Sequence, residues 1–524
     1  MPASAAPPAR TSLSGHLDGH LGGHPGGPRW PGQLAAIDMG SNSFRLEIGQ
    51  LVGERYRRID YLKETVRLGA GLDARGLLTD EASTRGLACL ARFAQRLKGF
   101  DAPQVRAVAT QTLREARNRD EFLARAQAVL GFPIEVISGR EEARLIYAGV
   151  ARLQPSNVPR LVIDIGGRST EMILGQGRKP TRAESFQVGS VSLSLKYFGD
   201  GVFSEAAFRQ AQVAAGAEFE EALESFSAPH WHEALGSSGT VGAVSQLLAA
   251  SEVTDGRITP DGLRWLMQQC LRAGRVERLV LPGLKEDRRA VIAGGIAILY
   301  TLAAHFDIGA LLPARGALRQ GVIFDLDERR HATGLRQDGH DIRDASVREL
   351  QRRFMVDTQH AERVTRVAQR LYANASPKAG AEARRELLWA CGLHEIGMMV
   401  SHHDHHRHSA YLLSHVDAAG FSQSQLRRIA ELVLGQRGGL RKLESSLARE
   451  EFAWQVLCLR LGAIKCHARG EVDAGAVRLV RDGDTAEIAF NAGWSETNPR
   501  TRHLLNEEVA TWERAGPLRL VLRA

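Results

Sequence analysis

Three acidic residues and two runs of small polar residues give this chain the means for phosphate chemistry. Ile37-Asp38-Met39-Gly40-Ser41-Asn42-Ser43 is followed by Phe44-Arg45-Leu46-Glu47-Ile48-Gly49-Gln50. Ile163-Asp164-Ile165-Gly166-Gly167-Arg168-Ser169 is followed by Thr170-Glu171-Met172-Ile173-Leu174-Gly175-Gln176. Ile, Asp, Gly, Ser and the closing Gly-Gln recur in register, so one unit is used twice. Each copy reads as an apolar strand ending in Asp, a small polar turn and a returning strand. Such a hairpin tip offers backbone N–H groups and hydroxyls to an anion. Two tips in two related lobes imply a cleft with phosphate between them.

In the first tip Gly40 permits a tight backbone, and Ser41, Asn42 and Ser43 add donors. Alone this is equally an ordinary polar turn; the duplication argues otherwise. In the second, Asp164 ends a strand where a hard oxygen ligand for Mg²⁺ belongs. Glu171 alternates with Met172 on the returning strand and either points toward the same ion or forms the exposed side of the hairpin. Arg114, closing Val108-Ala109-Thr110-Gln111-Thr112-Leu113, braces a phosphate bidentately or makes a surface ion pair. Ser138 and Glu141 fit a capping box, which gives Glu141 a structural role and leaves Glu142 unexplained. A carboxylate there can take a proton from water attacking a phosphate. Taken alone, complementing the helix dipole is the simpler account. Gly236-Ser237-Ser238-Gly239-Thr240 precedes a helical run and is a further anion site at a helix N-terminus, or a flexible loop.

Stepping outward, the elements that must hold these residues alternate in type. Residues 34–145 carry strand patterns at 34–37, 44–51, 105–109 and 134–137 and helical spacing at 81–97 and 120–130. Residues 146–327 repeat the theme, with strands at 161–165 and 171–174 and helices near 205–223, 263–273 and 289–305. Alternation of this kind predicts mixed sheets flanked by helices. From about 328 to 467 the pattern is Arg-rich amphipathic helix, and 468–524 returns to strands at 476–481, 485–490 and 518–522. The expected organisation is an N-terminal extension (1–33), lobe I (34–145), lobe II (146–327), a helical domain (328–467) and a small α/β module (468–524).

Composition fits a folded protein: 44% hydrophobic and 24% charged over 524 residues. The net charge of +8 suits a polyanionic partner, and equally a merely Arg-rich composition. Cys89, Cys270, Cys391, Cys458 and Cys466 form no Cys-x-x-Cys pair, which argues for a reducing compartment and against a disulfide framework or zinc site. No apolar run reaches the roughly 20 residues that span a bilayer. The segment 290–304, with Gly294-Gly295, reads as a buried helix. The Gly-, Pro-, Ala- and His-rich start lacks the apolar stretch of a signal peptide and reads as disordered, with His16, His20 and His24 in a solvated tail.

Together these residues resemble the Ppx/GppA phosphatases of the sugar kinase/actin/Hsp70 superfamily. The resemblance runs from about Leu34 to near the C-terminus and includes both tips, Thr110-Gln111-Thr112-Leu113-Arg114, Ile137-Ser138-Gly139-Arg140-Glu141-Glu142-Ala143-Arg144-Leu145-Ile146, Gly236–Thr240 and Gly316-Ala317-Leu318-Arg319-Gln320-Gly321. It implies a two-lobed actin-like ATPase-type fold. It further implies hydrolysis of the terminal phosphate of inorganic polyphosphate or, as the alternative, of guanosine pentaphosphate to the tetraphosphate. By resemblance Glu142 is the general base and Asp164 and Glu171 are the metal positions. Asp38, Gly40, Ser41, Asn42, Ser43, Arg114, Gly166, Gly167, Arg168, Ser169, Thr170, Ser237, Ser238, Gly239 and Thr240 match phosphate-binding elements. The resemblance also implies Mg²⁺ or Mn²⁺, activation by K⁺, a homodimer, and a cytoplasmic protein, with peripheral association at the inner membrane as a variant. No specific nucleic-acid partner is expected. One departure stands out: Arg168 replaces the family's usual third glycine, where it either contacts phosphate or narrows the site against a base.

The helical half resembles the HD superfamily, with His360, His394-Glu395 and His405 or His408 near its metal positions. Glu395 replaces the usual Asp, and 457–463 lacks the expected closing Asp, so an incomplete ligand set is expected and 402–408 reads as a polar loop. Arg427, Arg428, Arg437, Arg441 and Lys442 are candidates for a polymer path, or a solvated basic face. Two further readings compete: a kinase or ATPase, in which Gly294-Gly295 contacts a nucleoside, and a non-catalytic sensor of polyphosphate or an alarmone.

Overall fold

In the computed structural model, which describes residues 32–333 and 341–523, the two hairpins seed two sheets of one design. β1 (Gln33–Met39), β2 (Phe44–Val52) and β3 (Arg55–Glu64) form an antiparallel meander. β4 (Val105–Ala109) and β5 (Ile134–Val136) extend it in parallel, giving the order β3-β2-β1-β4-β5. β6 (Arg160–Ile165), β7 (Thr170–Gln176) and β8 (Lys179–Phe186) repeat the meander, and β9 (Glu233–Ser237) and β10 (Leu312–Pro313) the parallel extension. The second order is β8-β7-β6-β9-β10, so the sheets correspond strand for strand. Registers correspond too: Asp38 faces Arg45, and Asp164 faces Glu171. Each meander slips at the same glycine, Gly49 or Gly175. This is the expected actin-like fold. The expected extension, 1–33, with His16, His20 and His24, lies almost wholly outside the described residues.

β1 and β6 are buried on both faces, so their side chains feed two cores each. Ala35, Ile37 and Met39 pack outward with Leu90, Phe93 and Phe122, and Leu161, Ile163 and Ile165 outward with Phe219, Ile296 and Leu299. Leu34 and Ala36 meet Val162 and Ile173 in a third core between the lobes. Two helices fill that middle layer, Gly139–Leu153 and Leu318–Thr333. The first packs on β7 and β8, and the second on β1 and β2. The boundaries expected at 145 and 327 therefore fall inside helices, and each sheet is covered by the helix that follows the other sheet in sequence. The helices cross backbone to backbone: a Cβ on Gly321 would lie 1.8 Å from Leu145 O, and one on Gly149 2.4 Å from Ala317 O.

From Asp341 the chain forms helices that share one core, including Trp389, Trp454 and Leu432. β11 (Val477–Asp482), β12 (Thr485–Phe490) and β13 (Arg519–Arg523) form the terminal sheet, with helix Pro499–Ala515 joining the parallel pair β12–β13. Leu479, Ile488, Leu520 and Trp512 belong to that same core, so the module expected at 468–524 is fused to the helices rather than separate.

The helical half docks on the lobes through a buried charge network. Asp325 accepts from Arg106 of β4 (2.7 Å), Arg144 (2.5 Å) and Arg329 (2.6 Å). Arg329 donates to Gly420 O (2.6 Å), and Glu141 Oε2 accepts from Gly420 N (2.9 Å). Half of the expected capping box forms: Ser138 Oγ accepts from Glu141 N, but the Glu141 carboxylate serves this network instead. Gly294 lies against Ser190 O and Gly295 against Thr240, so that glycine pair lets helices pack and has no open space for a nucleoside. No helix among the described residues is long and apolar enough to cross a membrane.

Candidate active site

The two tips face each other across a cavity of about 80 Å³. That is several times the roughly 10–15 Å³ that admits one water, enough for a phosphoryl group and a nucleophile. Gly40, Ser41, Asn42 and Ser43 line it from lobe I, and Gly166, Gly167 and Ser169 from lobe II. Both tips need bare backbone at the same point: a Cβ on Gly40 would press on Ser43 O at 3.2 Å, and one on Gly166 on Ser169 O at 3.1 Å. Ser238, Gly239 and Thr240 complete the wall at the start of helix Ser238–Ala250. Ser238 holds a left-handed backbone, φ 88°, a conformation a β-substituted residue keeps only where the surroundings enforce it.

Glu142 and Asp164 look into this cavity. Burial pushes Glu142 up to about 7, against Arg114, with Asp164 and Asp38 adding to the rise. Burial likewise lifts Asp164 to about 6, with the Ser237 hydroxyl and Arg45 opposing. Glu171 is fully buried behind them and stands well above its usual range through burial and then the charges of Glu142 and Asp164. Ser185 Oγ donates to Glu171 Oε1 at 2.8 Å, while Oε2 is buried without a partner. The three do not bring their oxygens together as a preformed metal cage; what suits a divalent cation is the pair of Asp164 at the cavity wall and the orphaned oxygen of Glu171 behind it. Mg²⁺ is commonly held by one or two carboxylates and completed by water and substrate phosphate, which suits Asp164 and Glu171.

The structure redistributes several expected phosphate ligands. Arg114 Nη1 donates to Glu142 Oε2 at 2.8 Å and to Ile137 O, so it braces the carboxylate rather than a phosphate. Arg168 turns out of the cavity to Glu115 and Gly69 O. Thr170 Oγ1 donates to Val188 O, and Ser237 Oγ to Gly316 O; both are buried within their own lobe. Asp38 lines the cavity but carries the wrong charge for phosphate. It accepts from Arg45 Nη1 (3.3 Å) and pairs with Arg319 Nη1 (3.6 Å), holding two guanidiniums in place.

Those guanidiniums are what sequence reasoning missed. Arg45, Arg288 and Arg319 line the cavity, with Thr110 and Ser190. Arg288 has no ion pair among the described residues; burial, then Arg45, pulls it below the usual guanidinium range. A half-buried guanidinium at the cavity wall with no carboxylate partner suits an anion. Arg45 was open to inference: it holds the register position in the first hairpin that Glu171 holds in the second.

In the helical half, His360, His394 and Glu395 bring ligand atoms within 4.8 Å of one another, the one such trio of His, Cys, Asp or Glu among the described residues. They line a cavity of about 490 Å³ with His402, His405, Arg437 and Arg469. Arg469 Nη2 donates to Glu395 Oε1 at 2.6 Å and supplies the countercharge. The expected loop at 402–408 is helical from His405, and His405 and His406 are buried. Of the basic residues expected to form a polymer path, Arg428 is tied to Glu386 (2.5 Å) and Glu451 (3.5 Å).

The twinned sheets with facing tips define a two-lobed, actin-like protein. The model of the Ppx/GppA phosphatase family matches residues 52–330, and that of Ppx/GppA phosphatase domain III matches 342–509. The chain belongs to the Ppx/GppA phosphatase family and is a phosphatase. Solved structures agree. An exopolyphosphatase from Cytophaga hutchinsonii is 25% identical at a TM-score of 0.52, covering 56% of this chain and 98% of that one. An exopolyphosphatase-like protein is 25% identical at 0.51, covering 57% and 99%.

Proposed function

We propose that this phosphatase removes the terminal phosphoryl group of inorganic polyphosphate by attack of water, with Glu142 as general base. The observation that carries this reading is the single small cavity in which anion-gripping tips and guanidiniums face a buried carboxylate raised to about 7. Backbone and hydroxyl donors of Ser41–Ser43 and Gly166–Ser169, with Arg45, Arg288 and Arg319, hold the terminal phosphoryl oxygens. Glu142 Oε2 is engaged by Arg114, which leaves Oε1 to orient a water and take its proton as the oxygen attacks phosphorus in line. The bridging P–O bond breaks, and the shortened polymer leaves. A divalent cation held by Asp164 and Glu171 would neutralise charge on the phosphoryl oxygens.

The cavity has room for one phosphoryl group, so whatever follows that group, further phosphates or a nucleoside, lies outside it. The net charge of +8 supports a long polyanion as the substrate. The test is orthophosphate release from polyphosphate of defined length and from guanosine pentaphosphate in Mg²⁺, compared as kcat/KM. A larger kcat/KM for the nucleotide would overturn the assignment and leave the chemistry intact. Repeating the assay with Na⁺ for K⁺, and with Mn²⁺ for Mg²⁺, tests the ion requirements.

A further inference from the structure

Arg168 stands in the second tip where the first has Asn42, and its side chain leaves the second lobe for the first. Nε and Nη2 donate to Glu115 Oε2 at 3.0 and 2.6 Å, and Nη1 donates to Gly69 O at 3.3 Å. Lobe I is shaped to receive it. A Cβ on Gly69 would meet Arg168 Cδ at 2.9 Å, and Gly69 N–H bonds Ser41 O of the first tip at 2.8 Å. The contact therefore spans the lips of the cleft, tip to tip.

What Glu115 holds leads to the reacting centre. Its other oxygen, Oε1, accepts from Gln111 Nε2 at 2.6 Å. Gln111 Oε1 accepts from Arg114 Nε at 2.9 Å and Nη2 at 2.6 Å. Arg114 Nη1 then donates to Glu142 Oε2 at 2.8 Å. The polarity of this chain is fixed. Turning the Gln111 amide over would set its NH₂ against Arg114 and its oxygen against Glu115, breaking both links. A part-exposed pair such as Arg168–Glu115 adds little to stability on its own, so its consequence lies in what it orients.

We infer that Arg168 is a positioning residue for the general base: its bridge across the cleft couples closure of the two tips to the seating of Glu142, through Glu115, Gln111 and Arg114. The inference rests on the role proposed above for Glu142. With the tips closed, Glu115 is drawn toward Arg168, Gln111 is locked, and Arg114 presents Nη1 to one carboxylate oxygen only. With the tips apart, Glu115 is free to turn to Arg114 directly, and the base loses its brace.

Three variants separate a relay from a simple clamp. Arg168→Gly removes the bridge. Gln111→Met breaks the relay and leaves the bridge. Arg168→Glu combined with Glu115→Arg re-forms the bridge with reversed charge but removes the acceptor for the Gln111 amide. A relay lowers kcat on the order of 10- to 100-fold in all three, as expected for a misplaced catalytic group, with KM changing less, and Arg168→Gly with Gln111→Met loses no more than the worse single change. Full kcat in the charge exchange, or in Gln111→Met, overturns the inference. Amide hydrogen exchange over residues 138–145 reads the same coupling without turnover. Faster exchange in Arg168→Gly than in the unaltered protein supports the relay, and unchanged exchange overturns it. Should Glu142→Gln keep full activity, the proposed function fails in its base while the exchange measurement still decides the coupling.

Discussion

In its proposed role as general base Glu142 works only as the carboxylate, and burial holds its pKa near 7, so kcat/KM should rise with pH through that region. A bound cation favours the carboxylate, so more Mg²⁺ should move that limb to lower pH; a pH–rate profile at two Mg²⁺ concentrations checks both. Glu142→Gln should lower kcat by about 10²–10⁴-fold, the usual contribution of a general base, with KM little altered in steady-state assays. Stability runs the opposite way with pH. Carboxyls raised by folding stabilise the protein while protonated, and that contribution is lost as pH climbs through the folded value. Without divalent ions the melting temperature should fall between pH 5 and 8; Mg²⁺, or Glu171→Gln, should flatten the decline, which calorimetry would show. Asp164 was legible in the sequence as a carboxylate at a strand end beside a polar tip, whereas Glu142 was singled out only by the resemblance, since its place alone suits a helix dipole. The arginines were not legible. A guanidinium serves phosphate, carboxylate or carbonyl alike, so only the partner found in space separates Arg45 and Arg288 in the cavity from Arg114 and Arg168 outside it.

At the scale of elements, the repeated hairpins were readable because β1 and β6 are continuous apolar runs, whereas β3 and β8 were not. Those edge strands are polar and largely exposed, and β8 carries Pro180, so neither shows an apolar alternation. Which sheet a helix covers is likewise absent from local pattern, and the boundaries expected at 145 and 327 cut through Gly139–Leu153 and Leu318–Thr333. Their partnership makes two predictions. Asp325 is held well below the usual carboxylate range: burial opposes its charge, but Arg329, Arg144 and Arg106 outweigh it. Asp325→Asn leaves those cations facing one another and should destabilise by about 3–5 kcal/mol in denaturant unfolding. Because the folded value is depressed, the stabilisation is present above the unfolded value of about 3.9 and is lost as pH falls below it, so the variant should be the less acid-sensitive of the two. At the crossing, Gly321→Ala would set a methyl where Leu145 O now lies, so the helices must separate and activity should fall even in molecules that remain folded.

Over the whole molecule, the excess of eight positive charges should make turnover of long polyphosphate fall with ionic strength more steeply than turnover of short chains. Screening shortens from about 10 Å at 0.1 M to about 3 Å at 1 M, and only a long substrate reaches charges beyond the cavity; initial rates against KCl at two chain lengths would show it. The broad order of lobes and helical half could be read from the changing periodicity. The fusion of the terminal sheet with the helices could not, because a shared core leaves no mark on either sequence. The exchange of covering helices also bears on how the protein is made. Leu34 and Ala36 of β1 find their cover in the helix that begins at Leu318, so the first lobe's inner face stays open to water until that helix has been synthesised. At ordinary ribosomal speeds the intervening stretch of about 280 residues takes roughly 15–60 s. The nascent chain thus spends that interval with an apolar sheet face bare, and the lobe that emerges first is not the lobe that can finish first.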